Sequence, residues 1–438
     1  MVRIGANRMA NLPEAYRARM KAQLGEAGFA AYLGAMDEHP RRALRVNTLK
    51  ISPGTFAAMA NFPLTPTGLL PESFLFEDDV AIGRHPLHAA GLCYVQEPAA
   101  QLPATLAGAA PGMAVLDLCA APGGKATQLA AQMRNAGLLV ANEPVRSRAE
   151  ALAGNLERLG VQNAIVTCMR PDALAAQLGA CFDVVLVDAP CSGEGMFRKE
   201  EAAVREWSPE HVLACAARQG QILQSAALLL KPSGRLVYST CTFSQEENEG
   251  AVEMFLQAHP DFALVESRRM YPHSSVGEGQ FMALLTRAGI GADNAAAFAE
   301  PKRERVPPFE AFWEETLQGE PPRAMLLPDG RVMLPPALLP RERKGLHILR
   351  AGVPAGEIKN GRFTPDHALA LAYPSAAFRQ TMGLECGALT RFLAGETVAC
   401  YPDRSGWCPA TVLGYPVGWG KAVDGTLKNH IPKGLRIR

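Results

Sequence analysis

The sequence predicts an α/β fold: a doubly wound parallel sheet in the middle of the chain, an α+β unit before it and a small β-rich region after it. Three observations carry this. Between about residues 99 and 289, apolar runs of strand length alternate with stretches of helical periodicity, the pattern of strands joined by crossover helices. The runs are continuously apolar, as in Val184-Val185-Leu186-Val187, which marks strands buried on both faces. Three runs end in residues that carry chemistry. Val115-Leu116-Asp117-Leu118-Cys119 opens into Ala120-Ala121-Pro122-Gly123-Gly124-Lys125, the run to Asp188 into Ala189-Pro190-Cys191, and Leu236-Val237-Tyr238-Ser239-Thr240 into Cys241. Ligands of open parallel sheets bind beyond the carboxyl ends of the strands, so the glycine loop and both cysteines should converge on one site.

A chain of 438 residues is long enough for two or three domains. With 48% hydrophobic and 20% charged residues the composition is globular, and a net charge of +1 excludes a global field for nucleic acid, so basic patches must be local. The 10 cysteines form neither a C-x-x-C pair nor a zinc spacing, which points to reduced thiols in a metal-free, cytoplasmic protein. No apolar run reaches the ~18 residues of a membrane span, and no secretory signal opens the chain.

Residues 1–98 read as the N-terminal α+β domain. Tyr16, Met20, Leu24 and then, after a glycine break, Phe29, Tyr32 and Leu33 have helical spacing. Arg41 to Lys50 alternates like an exposed strand. Residues 1–50 hold nine Lys/Arg against four Asp/Glu, which is either a solvated surface or a patch for a phosphate backbone. Pro98 to Ala110 has helical spacing and leads into the catalytic domain, 99–289. Its strands are expected at 114–118, 138–142, 164–168, 183–188 and 235–240, and its helices at 124–134, 146–159, 172–179 and 209–230. Ser244 with Glu247 three residues on reads as a capping box that opens a further helix. Phe262–Glu266 and Gln280–Thr286 read as late edge strands. Residues 290–308 have linker composition. The C-terminal region, 309–438, reads as short strands in two small units, about 305–365 and 383–438. Its last 21 residues carry five Lys/Arg and one Asp, with Trp407, Tyr415 and Trp419 nearby; this is either an RNA-binding edge or a docking domain whose aromatics are core.

Gly123-Gly124-Lys125 is not a phosphate loop of the P-loop type, which needs glycine at 119 and Ser/Thr at 126, where Cys119 and Ala126 stand. G-x-G-x-x-G is also absent. Small residues there let a ligand approach the backbone closely, and Lys125 at the helix start is placed to reach a carboxylate. Glu143 after the second strand is placed for a ribose diol, with a helix-capping acid as the rival reading. Asp172 after the third strand is placed for an adenine amine, with an N-cap as the rival. With Asp117, these acids and the loop point to an adenosine-bearing cofactor without a pyrophosphate.

Cys93, Cys168, Cys181 and Cys215 sit in apolar or helical surroundings and read as core. Cys191 and Cys241 follow buried strands on the ligand side. One chemistry needs two thiols that never join. A thiolate adding to C6 of a pyrimidine makes C5 nucleophilic toward a methyl sulfonium. A second group must then remove the C5 proton while the first sulfur is still bonded to carbon. An acid near N3, for which Asp188 is placed, neutralises charge on the ring. This chemistry does not say which cysteine attacks.

At these residues the sequence resembles the NOL1/NOP2/Sun family of RNA cytosine-5 methyltransferases, in its bacterial RsmF-like branch. The matching motifs are Cys119 to Lys125, Asp188 to Gly195 with Met196-Phe197-Arg198-Lys199, and Ser239-Thr240-Cys241-Thr242 with Glu246-Glu247-Asn248. Arg45-Val46-Asn47-Thr48 and Lys428 to Arg436 match near the two ends. The resemblance implies a Rossmann-like S-adenosylmethionine-dependent domain followed by a PUA-like RNA-binding region. It implies that Cys119, Ala120, Ala121, Pro122, Gly123, Gly124, Lys125, Glu143, Asp172 and Asp188 surround the cofactor. It makes Cys241 the nucleophile and Cys191 the thiol that assists product release, with Asp188 and Lys125 beside them. It implies C5 methylation of a cytosine in 16S ribosomal RNA; the expected partner is that RNA or the small ribosomal subunit, and a monomer is expected independently of the resemblance. Two rivals are a nicotinamide oxidoreductase, disfavoured by the missing glycine pattern, and an RNA-binding assembly factor that holds S-adenosylmethionine without turnover.

Overall fold

The computed structural model describes residues 12–289, 297–302, 304–322 and 324–437. At its centre is an eight-stranded sheet. From one edge its order is Phe262–Met270, Gln280–Arg287, Leu230–Thr240, Phe182–Asp188, Ala114–Asp117, Leu138–Asn142, Ala164–Thr167 and Ile348–Ala351. The five strands from 114 to 240 are mutually parallel. They are continuously apolar because helices cover both faces: Val115, Leu116, Leu139, Val140, Val185 and Leu186 are all within 1% of full burial. Ala114–Asp117 lies between Leu138–Asn142 on one side and Phe182–Asp188 on the other. The strand order therefore reverses at its end, the position where open parallel sheets bind their ligands.

Several expectations are corrected. Of the two late strands only Phe262–Met270 is an edge; Gln280–Arg287 is paired on both sides, antiparallel to Leu230–Thr240. The sheet does not close at residue 289, because Ile348–Ala351 from the C-terminal region joins its far edge antiparallel to Ala164–Thr167. Of the linker, 290–296 and 303 lie outside the described residues. Phe298, within it, is buried and packs edge-on against Phe182 at 5.7 Å between ring centroids. Ser244 and Glu247 form no capping box: the helix starts at Glu249 with Asn248 at its cap, and both side chains are used elsewhere.

The N-terminal unit holds a four-stranded sheet in the order 64–66, 73–76, 42–46, 93–95. Arg42–Val46 is thus an inner strand rather than an exposed one. Arg45 is only 2% exposed. Its guanidinium donates to Gln96 Oε1 at 2.7 Å, the Gly124 carbonyl at 2.7 Å, Gln128 Oε1 at 2.9 Å and Thr127 Oγ1 at 2.8 Å. Lys50 is also internal, bonded to the Ala90 and Arg158 carbonyls, and burial together with Arg158 lowers its pKa to about 7. Part of the basic excess of residues 1–50 is therefore spent inside the protein, and residues 1–11 lie outside the described residues. The helix Glu14–Asp37, broken at Gly25 (φ 70°), packs Tyr16, Met20, Phe29 and Tyr32 against Phe197, Trp207, Val212 and Phe243 of the central domain.

The C-terminal region carries a four-stranded sheet (325–326, 331–334, 353–359, 362–365) and a five-stranded one built from 382–383, 398–399, 406–412, 415–423 and 426–429. The second shares a core with the N-terminal sheet: Leu389, Phe392, Val417 and Ile431 pack with Leu44, Phe56 and Ile82. Trp419 is core, 1% exposed and packed against Phe312, Phe378 and Trp407. Among the described residues no helix is long and apolar enough to cross a membrane.

Arg45→Lys replaces a planar fork that satisfies four acceptors with a point donor. It is expected to cost ~3 kcal/mol, since buried acceptors left unmatched are costly, and a thermal melt compared with the parent protein reads this as a lowered midpoint.

Candidate active site

Three loops leave adjacent strand ends and meet. The first, Leu118 to Gly123, turns into the helix Gly124–Gln132, with Gly123 left-handed at φ 114°. A Cβ on Gly124 would come within 3.2 Å of the Gln96 amide, so glycine lets the Gln96 side chain pack closely on this turn. The Lys125 ammonium pairs with Asp188 Oδ2 at 2.7 Å, and Ser239 Oγ donates to Asp188 Oδ1 at 2.7 Å. Burial works to lower the Lys125 pKa, but Asp188 outweighs it and the net shift is upward, so the lysine keeps its charge. Its carboxylate partner is a protein side chain.

The second and third loops bring Cys191 Sγ and Cys241 Sγ within 3.3 Å. Both residues are half-buried. The loops are tied to one another rather than to solvent. Glu247, after Cys241, accepts from the Ser192 amide at 2.9 Å, from Ser192 Oγ and from Gln219 Nε2 at 2.8 Å. Glu194, after Cys191, accepts from the Phe243 amide at 2.7 Å, Ser244 Oγ at 2.6 Å and Trp207 Nε1 at 2.8 Å. Gly195 donates to the Cys241 carbonyl at 2.8 Å, and a Cβ there would sit 2.8 Å from that oxygen. The Cys191 thiol is pushed well above its usual value, first by its hydrogen bond to Cys241, then by burial, with Glu247 adding to the shift.

The acids expected around an adenosine-bearing cofactor fall into two groups. Asp117 is fully buried and neither carboxylate oxygen meets a donor in good geometry; burial, then Asp188, push its pKa to about 7, against some relief from the Cys119 amide. Glu143 is 2% exposed, accepts from the Val145 amide at 3.0 Å and lies 3.4 Å from Arg148. An orphaned buried carboxylate, a second acid at the next strand end and a glycine turn suit a cationic, diol-bearing ligand. Asp172 stands apart. It is exposed in the first turn of the helix Pro171–Leu178, whose cap is Arg170, and its carboxylate is forked by Arg170 at 3.1 and 2.6 Å. That pairing holds its pKa below the usual carboxylate range. Cys93, Cys181 and Cys215 are buried, as expected, but Cys168 is half-exposed, directed at the Pro144 carbonyl at 3.5 Å.

Arg45, Gln96, Glu194, Gln219, Glu247, Asn248 and Gln280 were not assigned to the site from sequence. Gln219 had a signal, a glutamine among Val212, Ala216, Ile222 and Leu223 on one helix face. Glu194, Glu247 and Asn248 stand inside the motifs but gave no sign of their partners.

The sequence pattern described as 16S rRNA methyltransferase RsmB/F matches residues 104–288. The RsmF N-terminal domain, first C-terminal domain and PUA domain match 12–98, 311–373 and 380–437. The ribosomal RNA small subunit methyltransferase F of Vibrio vulnificus is 32% identical over 97% of both chains. The chain belongs to the RsmF family. The same enzyme of Klebsiella pneumoniae is 32% identical over 97% of this chain and 96% of its own. The crystal structure of a methyltransferase homolog from Pyrococcus horikoshii matches with TM-score 0.54 and 28% identity, over 63% of this chain and all of that one. That of NSun6 from the same organism, solved with SFG, matches in fold with TM-score 0.57 and 22% identity, over 64% of this chain and 99% of its own. S-adenosylmethionine is the cofactor of this RsmF-type fold.

Removing Cys241 removes the first cause of the Cys191 shift. In Cys241→Ala the pH midpoint for alkylation of Cys191, followed by mass spectrometry of the labelled peptide, is expected to fall below that of the parent protein. An unchanged midpoint would show that the two thiols do not share a proton.

Proposed function

We propose that the protein methylates C5 of a cytosine in 16S ribosomal RNA, through a transient bond between Cys241 and C6. The observation that carries this reading is the 3.3 Å approach of the two sulfurs beside the Lys125–Asp188 pair. S-adenosylmethionine, when bound, supplies the methyl group. The Gly123–Gly124 turn, Asp117 and Glu143 would hold it, and Asp172 would have to leave Arg170 to take part.

The chain's own groups divide the remaining work. The Lys125–Asp188 pair presents a proton donor where charge develops on the ring. Cys241 attacks C6, which breaks the ring's conjugation and makes C5 nucleophilic. Cys191 then takes the C5 proton, the electrons of that bond restore the ring, and Cys241 leaves as a thiolate. Cys191 holds its own proton tightly while Cys241 is its hydrogen-bond partner. Once Cys241 is bonded to carbon its sulfur carries no charge and the largest cause of the shift is gone, so Cys191 can release its own proton to solvent and, as the thiolate, act as base. This coupling supports that order of the two thiols' tasks. Extrusion of the cytosine from its stack costs a few kcal/mol, which contacts to the surrounding RNA must offset.

The test is transfer of label from methyl-tritiated S-adenosylmethionine to 16S ribosomal RNA, with bisulfite sequencing to locate the product. Cys191→Ala is expected to accumulate a protein–RNA adduct on denaturing gels and Cys241→Ala to give none. The opposite pattern would exchange the roles, and RNA binding without transfer would favour an assembly factor.

A further inference from the structure

A cleft of about 370 Å³ opens between strands 42–46 and 93–95 of the N-terminal sheet and the turn after the Cys191 loop. Its walls include His39, Arg41, Arg42, Asp78, Gln96 and Lys199. Two of its wall residues, Gln96 and Lys199, connect it to the site. Gln96 bonds Arg45 at 2.7 Å and abuts Gly124, whose neighbour Lys125 pairs with Asp188. Lys199 lies 3.4 Å from Glu278, two residues before Gln280, whose amide is 3.4 Å from Asp188.

The charges in this cleft are not equally spoken for. Arg198 and Lys199 share Glu278, and Glu97, another wall residue, is buried with its carboxylate bonded to the Glu278 and Ala100 amides. Asp78 faces His39 at 3.1 Å. Two cations remain without a carboxylate. Arg41 is exposed and has no partner among the described residues. Arg42 stacks on Phe76, with its guanidinium 4.6 Å from the ring centroid, and gives one nitrogen to the Asp78 and Val80 carbonyls at 3.1 and 3.3 Å. That fixes the fork and leaves its other donors unassigned. A preorganised guanidinium beside a free one matches phosphate oxygens, and neighbouring phosphates of one RNA strand would satisfy both.

We propose that this cleft is the subsite for the RNA backbone flanking the target cytosine, with Arg41 and Arg42 on its phosphates. The proposal rests on the RNA methyltransferase reading and adds where the strand is gripped. It also accounts for a basic N-terminal segment of which Arg45 and Lys50 are turned inward.

The probe is 16S ribosomal RNA transcribed in vitro, with affinity measured against salt concentration. Removing one side chain that neutralises a phosphate lowers the slope of log affinity against log salt by about one. Arg41→Ala should show that decrease, and Arg41→Glu should weaken binding further; Arg41 has no internal partner, so neither change disturbs folding. Arg42→Ala should act likewise on binding, and a melt checks for loss of the Phe76 stack. All three should raise KM for RNA and leave the dissociation constant for S-adenosylmethionine unchanged. Parent-like slope and affinity in both Arg41 variants would overturn the subsite while leaving methyl transfer by the parent protein intact. A parent protein that binds RNA through Arg41 and transfers no methyl would overturn the enzymatic reading alone. A parent protein with no salt-dependent RNA binding would overturn both.

Discussion

Two loops that leave neighbouring parallel strands are bound to one another by two buried carboxylates, and the placement of both sulfurs depends on that lacing. Glu194 belongs to the loop of Cys191 and takes its donors from the chain after Cys241; Glu247 follows Cys241 and takes its donors from Ser192 and from the helix at Gln219. The exchange is reciprocal, so neither loop can shift without stranding a buried charge. Such charges are costly to bury and are tolerated only when their oxygens are saturated with donors. Here each has three. Burial still pushes the Glu247 pKa upward against those donors.

The same economy governs the N-terminal unit. A basic strand in a chain of near-neutral charge suggests a surface, yet Arg45 is consumed in holding the helix start at Gly124 to Thr127 and Gln128. The Gly123–Gly124 turn is thereby clamped by a domain that contributes none of the expected cofactor residues. The neighbouring helix Glu14–Asp37 does the same for both cysteine loops: Arg198, after Cys191, donates to the Ala35 carbonyl at 2.7 Å, and Arg19 pairs with Glu246, after Cys241. The flanking unit is therefore part of the scaffold of the site as well as a surface beside it.

This explains what could be seen in the sequence. Parallel strands buried on both faces must be contiguously apolar, and Val115-Leu116 or Val184 to Val187 admit no other reading. Both Cys191 and Cys241 follow apolar strands on the ligand side, and Cys191 sits among proline and glycines that suit a loop rather than core, so the two stood out. Arg45 could not be placed, because its acceptors lie about fifty to eighty positions away and nothing local distinguishes an arginine pointing at water from one pointing at Gln96 and Gly124. Ser244 and Glu247 have the spacing of a capping box, but stronger tertiary partners took both. Ile348–Ala351 reads as one more short strand; that it closes the central sheet depends on Ala164–Thr167 having a vacant edge, which no local pattern records.

Holding the loops through backbone amides and carboxylates has a chemical consequence. The lacing engages Ser192, Gly195, Phe243 and Ser244 and spares the thiols. Apart from the Gly193 amide, which eases the charge on Cys191, the Cys191 thiol has Cys241 as its hydrogen-bonding partner. A proton placed between two such groups is sensitive to the bonding state of either one. A lysine or carboxylate at the same distance from Cys191 would hold it permanently charged or permanently neutral. In the proposed reaction a second sulfur would change from thiolate to uncharged thioether on bonding to carbon, and so would report the progress of the reaction to its neighbour. The rigidity supplied by Glu194 and Glu247 keeps the sulfurs close enough for that signal to be felt.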